Sequence, residues 1–394
     1  MLSRFILAPT TIAVLALTAS TFAEEKPGAV PLKKFVAHPS AYKTAAPAAK
    51  KPASPGPAVS PAIEAATGAK SDASQTTSAP AAPTEKKADA PAGEEPQAAR
   101  AILVTKREIV AQLQIFLDQQ LFSPGMIDGK QGKHLTNAFK RWQKANALPE
   151  TGVIDGNVPL ASVYPVYTFH TVAKTDLKFV GNLPGKTAEQ AKRKSLPYAA
   201  YADFVAERYH TSPPFLARLN PGMHFEKLNP GDQIRVPNVE PFKVEEMPDT
   251  GNLPPVEDYK TRHIVITRGE TILELFDGDK LIAAIPIAPG SPAHPTPPGK
   301  WRILGIASMP TFRWDAGVLN HGVRTGNFYM LPAGPRNPVG VAWIGLNKPG
   351  IGIHGTNNPY SIGTFASHGC MRTANWDISR ICHMVTEGVT VEIR

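Results

Sequence analysis

Two segments near the end of the chain decide the fold: Ile353-His354-Gly355-Thr356 and Ser367-His368-Gly369-Cys370-Met371-Arg372. The chain of 394 residues has only two cysteines, and Cys370 follows His354 by sixteen positions. A free thiol has a pKa of roughly 8.5, so an adjacent imidazole is needed to take its proton near neutral pH. This pattern predicts a Cys/His site for acyl transfer.

The residues around the thiol each have a chemical use. His354 ends an apolar run, which predicts a buried strand end that holds its ring rigidly. His368 lies two residues before the thiol and is expected to point away from it or beside it, so His354 is the better base. Gly369 permits a tight backbone in which its own amide and that of Cys370 converge on an oxyanion. Arg372 is placed to grip a substrate carboxylate, and the alternative is a solvated surface arginine.

These motifs support a family resemblance. Residues 256–394 resemble the catalytic domain of the cysteine L,D-transpeptidases of bacterial cell-wall synthesis, in which an upstream His-Gly-Thr precedes a Ser-His-Gly-Cys and an Arg. Two further segments match in order and spacing: Gly334-Pro335-Arg336-Asn337-Pro338-Val339-Gly340 and Ser361-Ile362-Gly363. The fold implied by the resemblance is a β-rich sandwich with one packed helix.

The resemblance implies a two-step reaction on peptidoglycan stem peptides, with no cofactor and no metal. Cys370 attacks the carbonyl of the third-position diamino acid, expels the terminal D-alanine and forms a thioester, which an amine acceptor resolves. His354 is the base. No acidic residue adjoins His354 in the sequence, so its orienting partner is expected to be a backbone carbonyl. Five positions carry over as supporting or substrate-binding residues: Gly355, Ser367, His368, Gly369 and Arg372.

Alternatives remain open for the reaction and for the thiol. If water resolves the thioester, the enzyme is an L,D-carboxypeptidase or hydrolase. If the catalytic domain is inactive, the protein only binds the cell wall. A disulfide between Cys370 and Cys382 is possible, although the helical stripe around Cys382 favours a buried, unreactive residue. His354, His368 and Cys370 offer three zinc ligands. Against a zinc site, no carboxylate lies near them in the sequence to act as a base, and a thiolate bound to zinc could not act as the nucleophile.

The N-terminal segment predicts where this chemistry takes place. Residues 1–23 contain an apolar stretch and Thr21-Phe22-Ala23 before two acidic residues, which is typical of a secretory signal peptide cleaved after Ala23. Residues 24–100 are dominated by Ala, Pro, Lys, Ser and Thr and predict a disordered linker. We therefore expect an exported protein of the periplasm or cell wall that contacts the membrane only during export.

Residues 101–165 predict a small α-helical domain. Apolar residues recur at helical spacing around Leu113 and around Phe139, on either side of the turn Ile127-Asp128-Gly129. The pattern resembles the three-helix peptidoglycan-binding domain. The alternative is a helical bundle without a sugar or peptide contact.

Residues 166–240 resemble a LysM module, which is a small α+β unit that binds glycan. A helical run begins at Tyr201, and Leu228-Asn229-Pro230-Gly231-Asp232 leads into an apolar strand. The Gly-Asp-Thr that customarily precedes the first helix is missing, so a structural spacer is the alternative to a glycan-binding module.

Charge and strand pattern complete the multi-domain prediction. The net charge of +9 favours salt-sensitive attraction to anionic wall polymers. Nucleic acid is not an expected partner, because the basic residues are spread without a clustered helix. Short apolar runs between residues 262 and 393 predict strands, and Asn375 or Asp377 can cap a helix behind the site. Residues 288–340, rich in Gly and Pro, are expected to form loops or a lid.

Overall fold

The computed structural model describes residues 97–154, 158–248, 251–317, 325–365 and 367–394, with side chains from residue 106 onward. All of them belong to one unit, Lys50–Arg394. The predicted signal peptide and the predicted linker up to residue 96 lie outside these ranges. Within the described ranges, no helix is both long enough and apolar enough to cross a bilayer.

The first module is built on two amphipathic helices, α1 (Gln97–Gln119) and α2 (Lys133–Ala145). Apolar residues of α2 spaced three or four apart are buried, as the pattern predicts. Phe116 of α1 meets Trp142 of α2 edge to face, with ring centroids 5.1 Å apart. In the described part of this module, the expected third helix is only the 3-10 turn Leu160–Ser162.

In the middle module the helices follow the first strand and precede the second along the chain. The two strands pair antiparallel, with Phe169 opposite Arg235. Ser212 caps the second of the two longer helices by accepting a hydrogen bond from the amide of Phe215. The LysM-like interpretation of this module stays a prediction, and residues 172–200 separate the first strand from the first of the two longer helices. The elements are β1 (Tyr167–Thr171), α3 (Thr187–Gln190), α4 (Tyr201–Arg208), α5 (Pro213–Leu219) and β2 (Gln233–Pro237).

The described part of the catalytic region is β-rich with a packed helix, as expected. Its elements are β3 (Gly251–Asn252), β4 (Arg262–Thr267), β5 (Ile272–Asp277), β6 (Lys280–Pro286), β7 (Gly299–Ser308), β8 (Phe312–Asp315), β9 (Phe328–Leu331), β10 (Ala342–Leu346), β11 (Gly352–His354), β12 (Met371–Arg372), α6 (Asn375–Ile381) and β13 (Thr390–Ile393).

Nine of these strands form a single sheet among the described residues. Its order is β12-β11-β10-β7-β13-β4-β5-β6, with β3 beside β7, and β8 pairs with β9 separately. The predicted sandwich is therefore one continuous sheet by its hydrogen bonding. β7 joins the two parts of the sheet, because the first half of its ten residues pairs with β13 and the second half with β10.

The prediction of loops for residues 288–340 is wrong, since β7, β8 and β9 lie in this stretch. The strand pattern of β7 is weak. Only Ile303, Ile306 and Ser308 of its ten residues are buried, so the strict alternation that indicates a half-buried strand is missing.

The three modules share one hydrophobic core and one buried ionic cluster. Asp118 of α1 accepts hydrogen bonds from Arg380 of α6 at 2.9 Å, and its other oxygen lies 3.0 Å from Nδ1 of His210 in the middle module. Arg380 also pairs with Asp377 at 3.0 Å. Because a buried charge is costly unless it is paired, this cluster ties the position of α6 to both preceding modules.

Candidate active site

The two sequence motifs lie on neighbouring parallel strands. His354 ends β11 and Arg372 ends β12, and the register pairs these two residues. Cys370 directly precedes β12, two positions from Arg372. Side chains alternate along an extended chain, so Cys370 and Arg372 fall on the face of the sheet that carries His354. Arg372 is close enough to both groups to affect their pKa values.

His354 is held by its backbone neighbour and by an aromatic ring. Its Nδ1 lies 2.6 Å from the carbonyl oxygen of Gly355. A carbonyl can only accept, so Nδ1 carries the proton and Nε2 is the free acceptor. This is the backbone partner that the sequence predicts. Trp343 stacks on the imidazole with ring centroids 5.2 Å apart. Burial lowers the pKa of His354 to about 3, with a smaller contribution from Arg372.

Cys370 is a free thiol that is 5% exposed. Its Sγ donates to the carbonyl of Gly350 at 3.3 Å, and no hydrogen bond joins it to His354 among the described residues. Burial raises the pKa of Cys370 to about 12, against the opposing effects of the Gly352 amide and Arg372. The thiol and the imidazole are therefore both neutral in this resting arrangement.

The disulfide alternative is wrong, because Cys382 is also a free cysteine. Cys382 follows the last residue of α6 and is 1% exposed. This agrees with the buried, unreactive residue that its helical stripe predicts.

Arg372 is 2% exposed, so the surface alternative is wrong. Its backbone is fixed by two hydrogen bonds with Ala288, at 2.7 and 3.0 Å. Its Nε and Nη2 have no hydrogen-bond partner within the described ranges. Burial lowers the pKa of Arg372 to about 10, which still leaves the group charged at neutral pH. A buried cation with unpaired donors is suited to binding an anion.

The turn before the thiol is closed by Ser367. Its hydroxyl donates to the carbonyl of Cys370 and accepts from the amide of Gly369 at 3.2 Å. Gly369 has φ of +108°, the left-handed region that favours glycine. Its amide serves Ser367 in this arrangement rather than an oxyanion. His368 stacks on His294 with ring centroids 4.4 Å apart, and no group of three or more His, Cys, Asp or Glu in the described chain could hold a metal ion.

Asn375, expected only to start a helix, organises the end of β11. Its Oδ1 accepts hydrogen bonds from the amides of Val341 and Thr356, both at 3.2 Å. A Cβ atom on Gly355 would lie 2.3 Å from this oxygen, so glycine is required there. The sequence does not reveal this role, because an asparagine at a helix start already has a common local explanation as a cap.

Comparison with known proteins agrees with this geometry. Residues 261–393 match the family of the L,D-transpeptidase catalytic domain, YkuD, and residues 106–158 match the family described as "Putative peptidoglycan binding domain". The protein named "Putative L,D-transpeptidase YkuD" in Bacillus licheniformis is 31% identical over 189 residues, covering 48% of this chain and 90% of that protein. This chain belongs to the L,D-transpeptidase family.

Further L,D-transpeptidases also match this chain. A relative of the same name in Bacillus subtilis is 28% identical over 191 residues, covering 48% of this chain and 90% of that protein. Among solved structures, L,D-transpeptidase 3 from Mycobacterium tuberculosis is 15% identical, with a TM-score of 0.28 over 43% of this chain and 76% of that chain. The L,D-transpeptidase match contains both motifs, whereas the middle module lies outside both family matches.

Proposed function

We propose that this peptidoglycan L,D-transpeptidase works through a thioester on Cys370, with His354 as its base. The observation that carries the proposal is the parallel pairing of β11 with β12. That pairing puts the thiol, the imidazole and the buried guanidinium of Arg372 on one face of the sheet. The neutral imidazole has its free Nε2 available, which is the state a general base requires.

The proposed reaction has two steps. Sγ of Cys370 bonds to the carbonyl carbon of the third-position diamino acid, and the thiol proton passes to Nε2 of His354. The bond to D-alanine then breaks, and its amine leaves with that proton. In the second step an amine acceptor attacks the thioester, His354 takes its proton, and the thiol is restored as the new amide forms.

Arg372 is proposed to bind the carboxylate of the terminal D-alanine. Its unpaired donors suit an anionic group. Its charge also favours the thiolate, since the nearby guanidinium lowers the pKa of Cys370 against the effect of burial. Deprotonation of the thiol and binding of the donor peptide are therefore both assisted by the same cation.

The two modules that precede the catalytic region are proposed to bind peptidoglycan and so keep the enzyme close to its substrate. The peptidoglycan-binding match covers α2 and residues 106–119 of α1, and the middle module is proposed as a LysM-like unit or a spacer. A wall substrate requires export, for which residues 1–23 have the composition of a signal peptide.

The test uses the two cysteines as a matched pair. Cys370→Ala is expected to abolish D-alanine release from a disaccharide-tetrapeptide, while sedimentation with insoluble peptidoglycan is retained. Cys382→Ala, at the other buried cysteine, is expected to keep the activity. Unchanged release by Cys370→Ala would refute the proposal. Mass spectrometry of the products separates cross-linked peptide from the tripeptide that an L,D-carboxypeptidase would leave.

A further inference from the structure

Helix α4 of the middle module reaches the catalytic region with two carboxylates. Asp203 and Glu207 are four residues apart and therefore lie on one face of the helix. Glu207 is 2% exposed, and it lies outside the part of the chain that matches the L,D-transpeptidase family. A carboxylate this deeply buried needs a compensating contact or a function.

Glu207 helps to fix the orientation of the Asn375 amide. Its Oε1 accepts a hydrogen bond from Nδ2 of Asn375 at 3.1 Å, and the same nitrogen donates to the carbonyl of Pro335 at 3.0 Å. The carbonyl of Pro335 can only accept, so a flipped amide would lose this hydrogen bond. The opposite end of the amide must then face the backbone, where it accepts from Val341 and Thr356.

A second contact from α4 acts through Arg336 on Asn357, the residue that follows Thr356. Asp203 lies 3.7 Å from Nη2 of Arg336. Nη1 of Arg336 donates to the carbonyl of Asn357 at 2.7 Å. Two carboxylates of one helix thus act on consecutive residues, Thr356 and Asn357, directly after the His-Gly pair.

We propose that Glu207 is a positioning residue for transpeptidation, which acts through Asn375 to hold the strand end that carries His354. The inference rests on the proposed roles of His354 and Cys370. The hydroxyl of Tyr198 and the charge of Arg336 counteract the rise in the pKa of Glu207 that burial causes, so the carboxylate is held in place beside Asn375. The middle module is thereby part of the active-site scaffold.

The experiment exchanges donor and acceptor across the Glu207–Asn375 contact in the full chain. Glu207→Met removes the acceptor at similar length, and Asn375→Asp removes the donor while keeping acceptors for the backbone amides. Each is expected to lower kcat for D-alanine release about tenfold, or about 1.4 kcal/mol, with KM within about twofold. Glu207→Gln still accepts from Asn375 and is expected to retain most of the activity. Glu189→Ala, at an exposed residue of the same module, is the control.

The decisive variant combines Glu207→Gln with Asn375→Asp, so that residue 207 donates and residue 375 accepts. It is expected to recover part of the kcat lost in Asn375→Asp alone, since the contact at residue 207 is restored while the carbonyl of Pro335 stays without its donor. Circular dichroism establishes folding, and the rescue decides the question even if Glu207→Met does not fold. Absence of rescue, or wild-type kcat in folded Glu207→Met, would overturn the inference. Absence of D-alanine release by the unaltered protein would instead overturn the proposed function.

Discussion

Replacing Arg372 with methionine is expected to raise stability and lower activity together. Burial lowers the pKa of this guanidinium from 12.5 to about 10. One pKa unit corresponds to about 1.4 kcal/mol, so keeping the group charged in the folded protein costs about 3 kcal/mol. The group is charged in both folded and unfolded states below pH 10, so the whole cost applies at neutral pH. An apolar side chain of similar length avoids it.

The assay for Arg372→Met pairs thermal unfolding with turnover. Removing a cost of about 3 kcal/mol is expected to raise Tm by up to about 6 °C for a chain of this size. Loss of charge-assisted hydrogen bonds to the donor carboxylate, worth roughly 1.5–3 kcal/mol, is expected to lower kcat/KM about 10- to 100-fold. The backbone contacts with Ala288 do not involve the side chain, so β12 is expected to remain paired.

Arg372→Lys is the matched control, because it keeps the buried charge and loses only the planar fork. It is expected to reduce kcat/KM without the gain in Tm. A lower Tm in Arg372→Met would show that the guanidinium is paired in the folded protein. Unchanged kcat/KM in Arg372→Met would show that it does not contact the donor peptide. Either result would refute the reasoning.

The remaining predictions concern pH and close packing. Burial lowers the pKa of His354 to about 3, so the imidazole is neutral above that pH and kcat/KM should show no titration near pH 6.5. Burial raises the pKa of Cys370 to about 12, so the rate of its alkylation by iodoacetamide should increase continuously from pH 7 to 10. A plateau in that rate would contradict this. Burial raises the pKa of Asp377 from 3.8 to about 7, so its contribution to stability is complete below pH 3.8 and is lost as pH rises through about 7. The Tm of the unaltered protein should therefore fall between pH 5 and 8, and the Tm of Asp377→Asn should not show this fall. Gly355→Ala should lower both Tm and kcat, because its new Cβ would meet a buried amide oxygen at 2.3 Å, whereas Gly305→Ala, with no atom within 4 Å, should leave both unchanged.

Local chemistry accounts for what the sequence analysis predicted correctly. An apolar run ending in His354 predicts a buried strand end, which is β11. A stripe of apolar residues after Asn375 predicts a helix, which is α6. Both conclusions need only neighbouring residues, because hydrophobic periodicity and helix-starting residues are local signals.

Contacts between distant segments account for what was missed. Glu207 and Asn375 are 168 positions apart, and no local pattern marks them as partners. The two residues also belong to different modules of the chain. β7 was missed for a different reason, since its environment in the middle of the sheet, and not its own alternation, specifies it as a strand.

The buried cluster of Asp118, His210 and Arg380 has a practical consequence for anyone who trims this chain. A fragment starting at residue 261 keeps Arg380 and Asp377 but loses both outside partners. The helix behind the thiol would then expose to water a surface built for contact with protein. Inhibitor screening and module exchange are therefore best carried out on chains that begin before α1.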